Sequence, residues 1–178
     1  MQDLYIKKIG YYLVLLLIIL IGLYLRSINL FFEDFWADEM LGFANADPTI
    51  SYSETLEKIK KSEELTPILF HFLAKYFYKF FGYSPENGRI LSLIIGTISI
   101  PVVYLLCKEL NKKSALLLSF LISTNIYLIN YSQEVRPYIL LFLFSAINIF
   151  IFLKLANYAE LKKNNIFLLL SFIIFSVL

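Results

Sequence analysis

The sequence predicts an all-α, polytopic membrane protein: four complete transmembrane helices plus a truncated fifth, with interfacial amphipathic helices in the first outer loop. Three observations predict it. Of 178 residues, 59% are hydrophobic, and the mean hydropathy is +0.70; a water-soluble domain of this length would expose too much apolar surface to stay dissolved. Four uncharged windows (9–25, 90–107, 114–133 and 137–153) approach the length at which a helix crosses a hydrocarbon core, about 20 residues for about 30 Å. A fifth starts at Asn164 and is still running at Leu178. The charges between the windows, finally, segregate by side.

The expected spans are roughly 9–30, 88–107, 114–131, 137–153 and 164–178, with an outer loop over 31–88. The first follows Lys7 and Lys8, as a signal peptide would. However, it is longer than the usual apolar stretch of such a peptide, and Arg26-Ser-Ile-Asn offers no small-residue cleavage site, so it reads as a retained anchor. With the N-terminus cytoplasmic, the inner segments hold Lys7, Lys8, Lys108, Lys112, Lys113, Lys154, Lys162 and Lys163 against Asp3, Glu109 and Glu160. Short lysine-rich loops belong on the inner side. The outer loop and the turn at Tyr131–Tyr138 then face the periplasm, exterior or lumen. The abrupt end at Leu178 suggests the N-terminal part of a longer protein. The single Cys107 excludes an intramolecular disulfide and a cysteine-based metal site. The net charge of +2 is too small to point to nucleic acid.

Within the outer loop, "NLFFEDFWADEML" places Glu33, Asp34, Asp38 and Glu39 among Phe31, Phe32, Phe35 and Trp36. Aromatics at the end of a span mark the headgroup belt, so Asp38 and Glu39 should lie near that plane. Ser51 with Glu54 three residues on is a capping box opening a short polar helix. In "TPILFHFLAKYFYKFFG", Thr66 and Pro67 start a helix that Gly82 stops. His71, Lys75 and Lys79 fall four apart, giving an otherwise aromatic helix one polar stripe, which suits the membrane interface. Ser84 and Pro85 open the second span, with Arg89 at its outer end.

The turn "YSQEVRPY" sits between two uncharged windows and carries Glu134 and Arg136. Pro137 suits the first position of the following helix, whose positive dipole end then points outward. A guanidinium beside a helix N-terminus is an anion site, and its donor fork matches phosphate oxygens. At a headgroup plane that phosphate belongs to a lipid. Glu134 either pairs with Arg136 or Arg89, or helps to bind a metal or a sugar hydroxyl. The plainer reading is a hairpin end whose Arg and Tyr residues snorkel to the headgroups. For Asp38 and Glu39, proton transfer to or from an attacking hydroxyl or amine competes with a solvated acidic loop or a cap for a helix starting at Met40. Arg89 is either a span-end anchor or the partner of a phosphate or carboxylate. His71 fits its helix's polar stripe better than it fits a ligand or base role, since no second His or Cys stands nearby. The 30 Tyr and Phe residues are mostly for lipid contact and packing.

Together these stretches resemble membrane glycosyltransferases of the GT-C superfamily, in the protein-mannosyltransferase-like and aminoarabinose-transferase-like branch. "FWADE" is similar to that family's acidic first-loop motif, and "TPILFHFLAKYFYKFFG" to the segment that follows it. "NGRILSLIIGTISIPVVYLL" resembles the Arg-x-x-Ser opening of its second span. "YSQEVRPY" is the most specific match, and together the four stretches span Phe35 to Tyr138, most of the chain. The resemblance implies transfer of a sugar from a polyprenyl-phosphate donor to a protein, lipid or glycan acceptor, at the outer or lumenal face, in a cell membrane expected to be prokaryotic. It implies Asp38 as catalytic acid/base with Glu39 beside it. It implies a donor site from Arg136, Glu134, Gln133, Tyr131, Tyr138 and Arg89, with Arg136 on the phosphate. Some relatives use a divalent metal and others do not; here Asp38 and Glu134 would be its ligands. Where some members have His-Pro-Pro, this chain has Leu65-Thr66-Pro67, so any role of that His is absent. A membrane scaffold or a transporter subunit is the alternative; a transporter would carry charge at mid-span, and the four windows are uncharged.

Overall fold

The computed structural model describes residues 2–61, 67–111, 114–157 and 171. Among these every regular element is an α-helix: α1 (Gln2–Ser27), α2 (Ala37–Asn45), α3 (Tyr52–Lys61), α4 (Ile68–Phe81), α5 (Pro85–Leu110), α6 (Ala115–Thr124), α7 (Ile126–Tyr131) and α8 (Tyr138–Asn157). Three stretches are long and apolar enough to cross a bilayer: Ile9–Ser27, Pro85–Leu110 and Tyr138–Leu155. They correspond to the first, second and fourth expected spans. The fifth expected span, 164–178, lies outside the described residues apart from Ser171.

α5 is the hub, packing against α1, α4, α6 and α8. Its start is well specified: Ser84 accepts a hydrogen bond from the Asn87 N–H at 3.3 Å, and Pro85 fills the first turn. Farther along, the helix keeps small residues on its packed face. At Gly96 an added methyl would collide with the Ser132 hydroxyl, and at Gly88 with the Tyr78 hydroxyl and Val135. Those two glycines let the Tyr131–Tyr138 turn and α4 press directly onto the α5 backbone.

The third expected span is not one helix. α6 stops at Thr124, and α7 restarts after Asn125, whose backbone is extended (φ −67°, ψ 120°). Ten residues of helix cover only about 15 Å, half a hydrocarbon core. The cause is polar competition. Ser123 and Thr124 both donate to the Phe120 carbonyl (2.7 and 3.0 Å), and Asn125 caps α7 by accepting from the Leu128 N–H at 3.1 Å. An interrupted helix at this depth needs its freed backbone groups satisfied from outside. Arg26, fully buried at the end of α1, does this: its guanidinium donates to the carbonyls of Ile122 (3.2 Å) and Ser123 (2.9 Å), as well as to Gly22 (3.0 Å) and the Ser132 hydroxyl (3.1 Å).

Of the helices between residues 31 and 88, α3 opens with the expected capping box: the Glu54 N–H donates to Ser51 and the Ser51 N–H donates back to the Glu54 carboxylate (3.2 and 2.7 Å). α4 ends at Gly82, whose φ of +100° suits glycine; Thr66 lies outside the described residues. The polar stripe on α4, however, faces inward. His71 and Lys75 are buried, and only Lys79 is exposed. Lys75 donates to the Asp47 carbonyl at 2.6 Å and to the Thr55 hydroxyl at 3.0 Å. His71 bonds the Gly42 backbone, and burial pushes its pKa below the ordinary value. Ile68, Tyr76, Phe80 and Phe81 are left on the open surface instead. The stripe is inverted because α2 and α3 offer it hydrogen-bond partners, whereas a membrane interface accepts aromatic rings.

Replacing Arg26 with Ala is expected to destabilise the protein by about 3 kcal/mol or more, since several buried carbonyls lose their donor together. Arg26→Lys should recover only part of this, having no fork to reach α6 and Ser132 at once. Thermal unfolding of the detergent-solubilised variants checks both.

Candidate functional site

The loop after α1, the start of α5 and the Tyr131–Tyr138 turn meet at one end of the helix bundle, and two ion pairs join them. The first is buried. Glu39 lies in the first turn of α2, which begins at Ala37 rather than at Met40. Its carboxylate accepts from four donors: the Trp36 N–H (3.3 Å), the Val135 N–H (2.8 Å), and Arg89 through Nε (3.4 Å) and a terminal nitrogen (3.0 Å). Arg89 also donates to the carbonyls of Leu30 (3.1 Å), Glu33 (2.7 Å) and Asp34 (3.3 Å), and its guanidinium stands 5.0 Å over the Phe35 ring. The side chains are 0% and 7% exposed. Every donor and acceptor is used, which is the condition under which such a pair survives desolvation. Arg89 thus meets a carboxylate, one of its two expected partners, and Glu39 holds the loop together.

The second pair is open to solvent. Asp38, one residue away on α2, points elsewhere and meets Arg136 at 2.9 Å, with 64% and 28% of their side chains exposed. The Arg136 guanidinium also lies 4.7 Å over the Tyr138 ring, and Tyr138 stands 5.1 Å from Tyr131. The rest of the turn is anchored to the first span. Gln133 donates to the carbonyls of Arg26 (3.0 Å) and Ile28 (2.7 Å), and Ser132 accepts from Arg26. Gly42 completes the seat, for a methyl there would sit 3.2 Å from the Val135 carbonyl.

With both guanidinium groups taken by Asp38 and Glu39, Glu134 forms no hydrogen bond or ion pair among the described residues. It lines a cleft of about 570 Å³ with Asn29, Trp36, Asn130, Gln133 and Arg89. Burial raises the Glu134 carboxyl above its usual range, a shift that the nearby Arg136 opposes. Among the described residues no group of three His, Cys, Asp or Glu side chains is placed to hold a metal ion. Asp38, one of the two expected metal ligands, is engaged by Arg136.

All eight sequence-predicted site residues therefore gather at this end, in separate roles: Asp38 with Arg136, Glu39 with Arg89, Glu134 and Gln133 along the cleft, and Tyr131 and Tyr138 beside the open pair. Arg26 and Ser132, which carry the turn from below, were missed. The available signal was a lone guanidinium in the last turn of an apolar helix, a position equally suited to an ordinary surface anchor.

Removing either member of the buried pair is expected to cost roughly 3–5 kcal/mol by stranding the other charge. The Glu39→Ala, Arg89→Ala double variant should lose less than the two single losses combined. Unfolding midpoints of the three variants measure this.

Comparison with protein-family profiles matches residues 66–177 to dolichyl-phosphate-mannose-protein mannosyltransferase. No curated protein and no solved structure gives a match. The matched region runs from α4 to the far end of the sequence and contains the whole Tyr131–Tyr138 turn, and three apolar helices long enough to span a bilayer make this an integral membrane protein. The chain belongs to the dolichyl-phosphate-mannose-protein mannosyltransferase family, and so to the membrane glycosyltransferases.

Proposed function

We propose that the protein moves a glycosyl residue from a polyprenyl-phosphate donor to a hydroxyl or amine acceptor at the outer or lumenal membrane face. Asp38 takes the acceptor's proton, and Arg136 receives the departing phosphate. The acceptor's oxygen or nitrogen bonds to the anomeric carbon as that carbon's bond to the phosphate oxygen breaks. The bonding electron pair leaves with the polyprenyl phosphate. Charge spreads over an oxocarbenium-like transition state, so a fixed cation at the leaving phosphate contributes most where that charge develops.

The observation that carries this reading is the meeting of Asp38 and Arg136, 98 residues apart in sequence, each within two residues of a carboxylate, Glu39 or Glu134, that lines the cleft. A proton acceptor and a phosphate binder must stand within one sugar of each other, and these two are in contact. Family membership supports the reaction class. The cleft's Asn29, Asn130, Gln133 and Glu134 supply the mix of donors and acceptors that sugar hydroxyls require. Exposed Phe31, Phe32 and Trp36 nearby suit the headgroup region where a prenyl chain would enter, and the lysine distribution supports an outward orientation.

In membranes supplied with a polyprenyl-phosphate sugar, Asp38→Asn should lower turnover by roughly 10²–10⁴-fold, the range for losing a general base. Arg136→Ala should lower it by about 10²–10³-fold. Both variants should insert normally. Undiminished sugar transfer in both would refute the site.

A further inference from the structure

In the proposed mechanism Asp38 and Arg136 serve different partners, yet in the structure they serve each other. Arg136 donates to a carboxylate oxygen of Asp38 at 2.9 Å. That oxygen is where an anionic oxygen of a phosphate would sit on the same fork. Among the described residues Arg136 is the only hydrogen-bond donor to the Asp38 carboxylate, whereas Glu39 beside it has four donors. Asp38 therefore leaves a single donor, Arg136, when it changes partner, and the phosphate takes its place there, whereas Glu39 would leave four. The pair is also half solvated, and exposed ion pairs are weak enough to be exchanged. Arg136 would keep its place on the Tyr138 ring during such an exchange.

Resting on the donor-site reading above, we propose that Asp38 occupies the donor phosphate's seat on Arg136 until the lipid binds, and that the arriving phosphate frees Asp38 to act as base. A sugar-phosphate diester brings one negative charge and two unbridged oxygens. It matches the guanidinium fork in both charge and shape, so it competes well for that partner. While paired, the Asp38 oxygen is spent on the guanidinium. Once displaced, it faces the space beside the phosphate, where the acceptor must approach. Proton acceptance is thereby tied to donor occupancy, and the acceptor is not activated over an empty site.

The exchange predicts a change of opposite sign in binding and in turnover. Binding of a short-chain prenyl phosphate to the full protein in lipid nanodiscs is measured by calorimetry. Asp38→Asn should tighten binding by about two- to five-fold, the worth of an exposed pair, while sugar transfer falls. Asp38→Ser should shift binding in the same direction. Arg136→Ala should weaken binding, and adding Asp38→Asn to it should change nothing further. Unchanged or weaker binding in both Asp38 variants overturns the exchange, as does equal tightening in the Arg136→Ala background. If Arg136→Ala alone leaves binding intact, the donor-site reading itself fails; if it weakens binding while the Asp38 variants do not tighten it, only the exchange fails. Inorganic phosphate at the same concentration should bind far more weakly than the prenyl phosphate, and equal affinity would overturn the assignment to a lipid.

Discussion

The buried pair between Glu39 and Arg89 is the constraint on which the loop-bearing end of this protein depends. A carboxylate removed from water in this way is tolerable only when its lone pairs are all met. Glu39 meets that demand by drawing donors from three separate parts of the chain: the α2 start, the α5 start, and the backbone of the turn before α8. Arg89 extends the arrangement by collecting the carbonyls of Leu30, Glu33 and Asp34. A loop rich in acids and aromatics, with little regular structure over its first residues, is thus tied down by satisfied hydrogen bonds rather than by a large core.

Arg26 applies the same logic one layer deeper. Breaking the third apolar window at Asn125 frees backbone carbonyls where water is scarce, and a single guanidinium recovers two of them while also holding Ser132. The break has a use. It lets α7 run a short course to the Tyr131–Tyr138 turn, and Gly96 lets that turn approach α5 closely. Two buried arginines therefore fix the turn from two sides, Arg26 through Ser132 and Gln133, Arg89 through Glu39 and Val135.

Neighbouring carboxylates consequently divide their labour. Glu39 is consumed by structure, and Asp38, carried on the same helical turn, is held at an exposed position with one partner, Arg136, among the described residues. Fixing one so firmly is what gives the other a defined location without burying it. The proposed base must be both well placed and free to change partners, and the adjacency of the two pairs is compatible with both needs. Glu134, half-buried along the cleft and without an ion-pair partner among the described residues, adds polar capacity beside them.

The sequence by itself determined the solvent, the helical class, three of the spans and the end of the molecule where charge would gather. Each of these follows from composition, window length or a local cap such as Ser84 or Ser51, which needs no distant partner. It also singled out the residues of "FWADE" and "YSQEVRPY" as a group. Only the tertiary structure decided which acid meets which arginine, that the third window breaks at Asn125, and that His71 and Lys75 turn inward. The break is legible only in part: Ser123, Thr124 and Asn125 signal polar competition, but in an apolar window the cost of interrupting a helix argues against it unless a partner such as Arg26 is known to arrive. Those outcomes depend on hydrogen bonds between residues 20 to 107 positions apart, and no local rule of spacing or propensity can assign partners at that range.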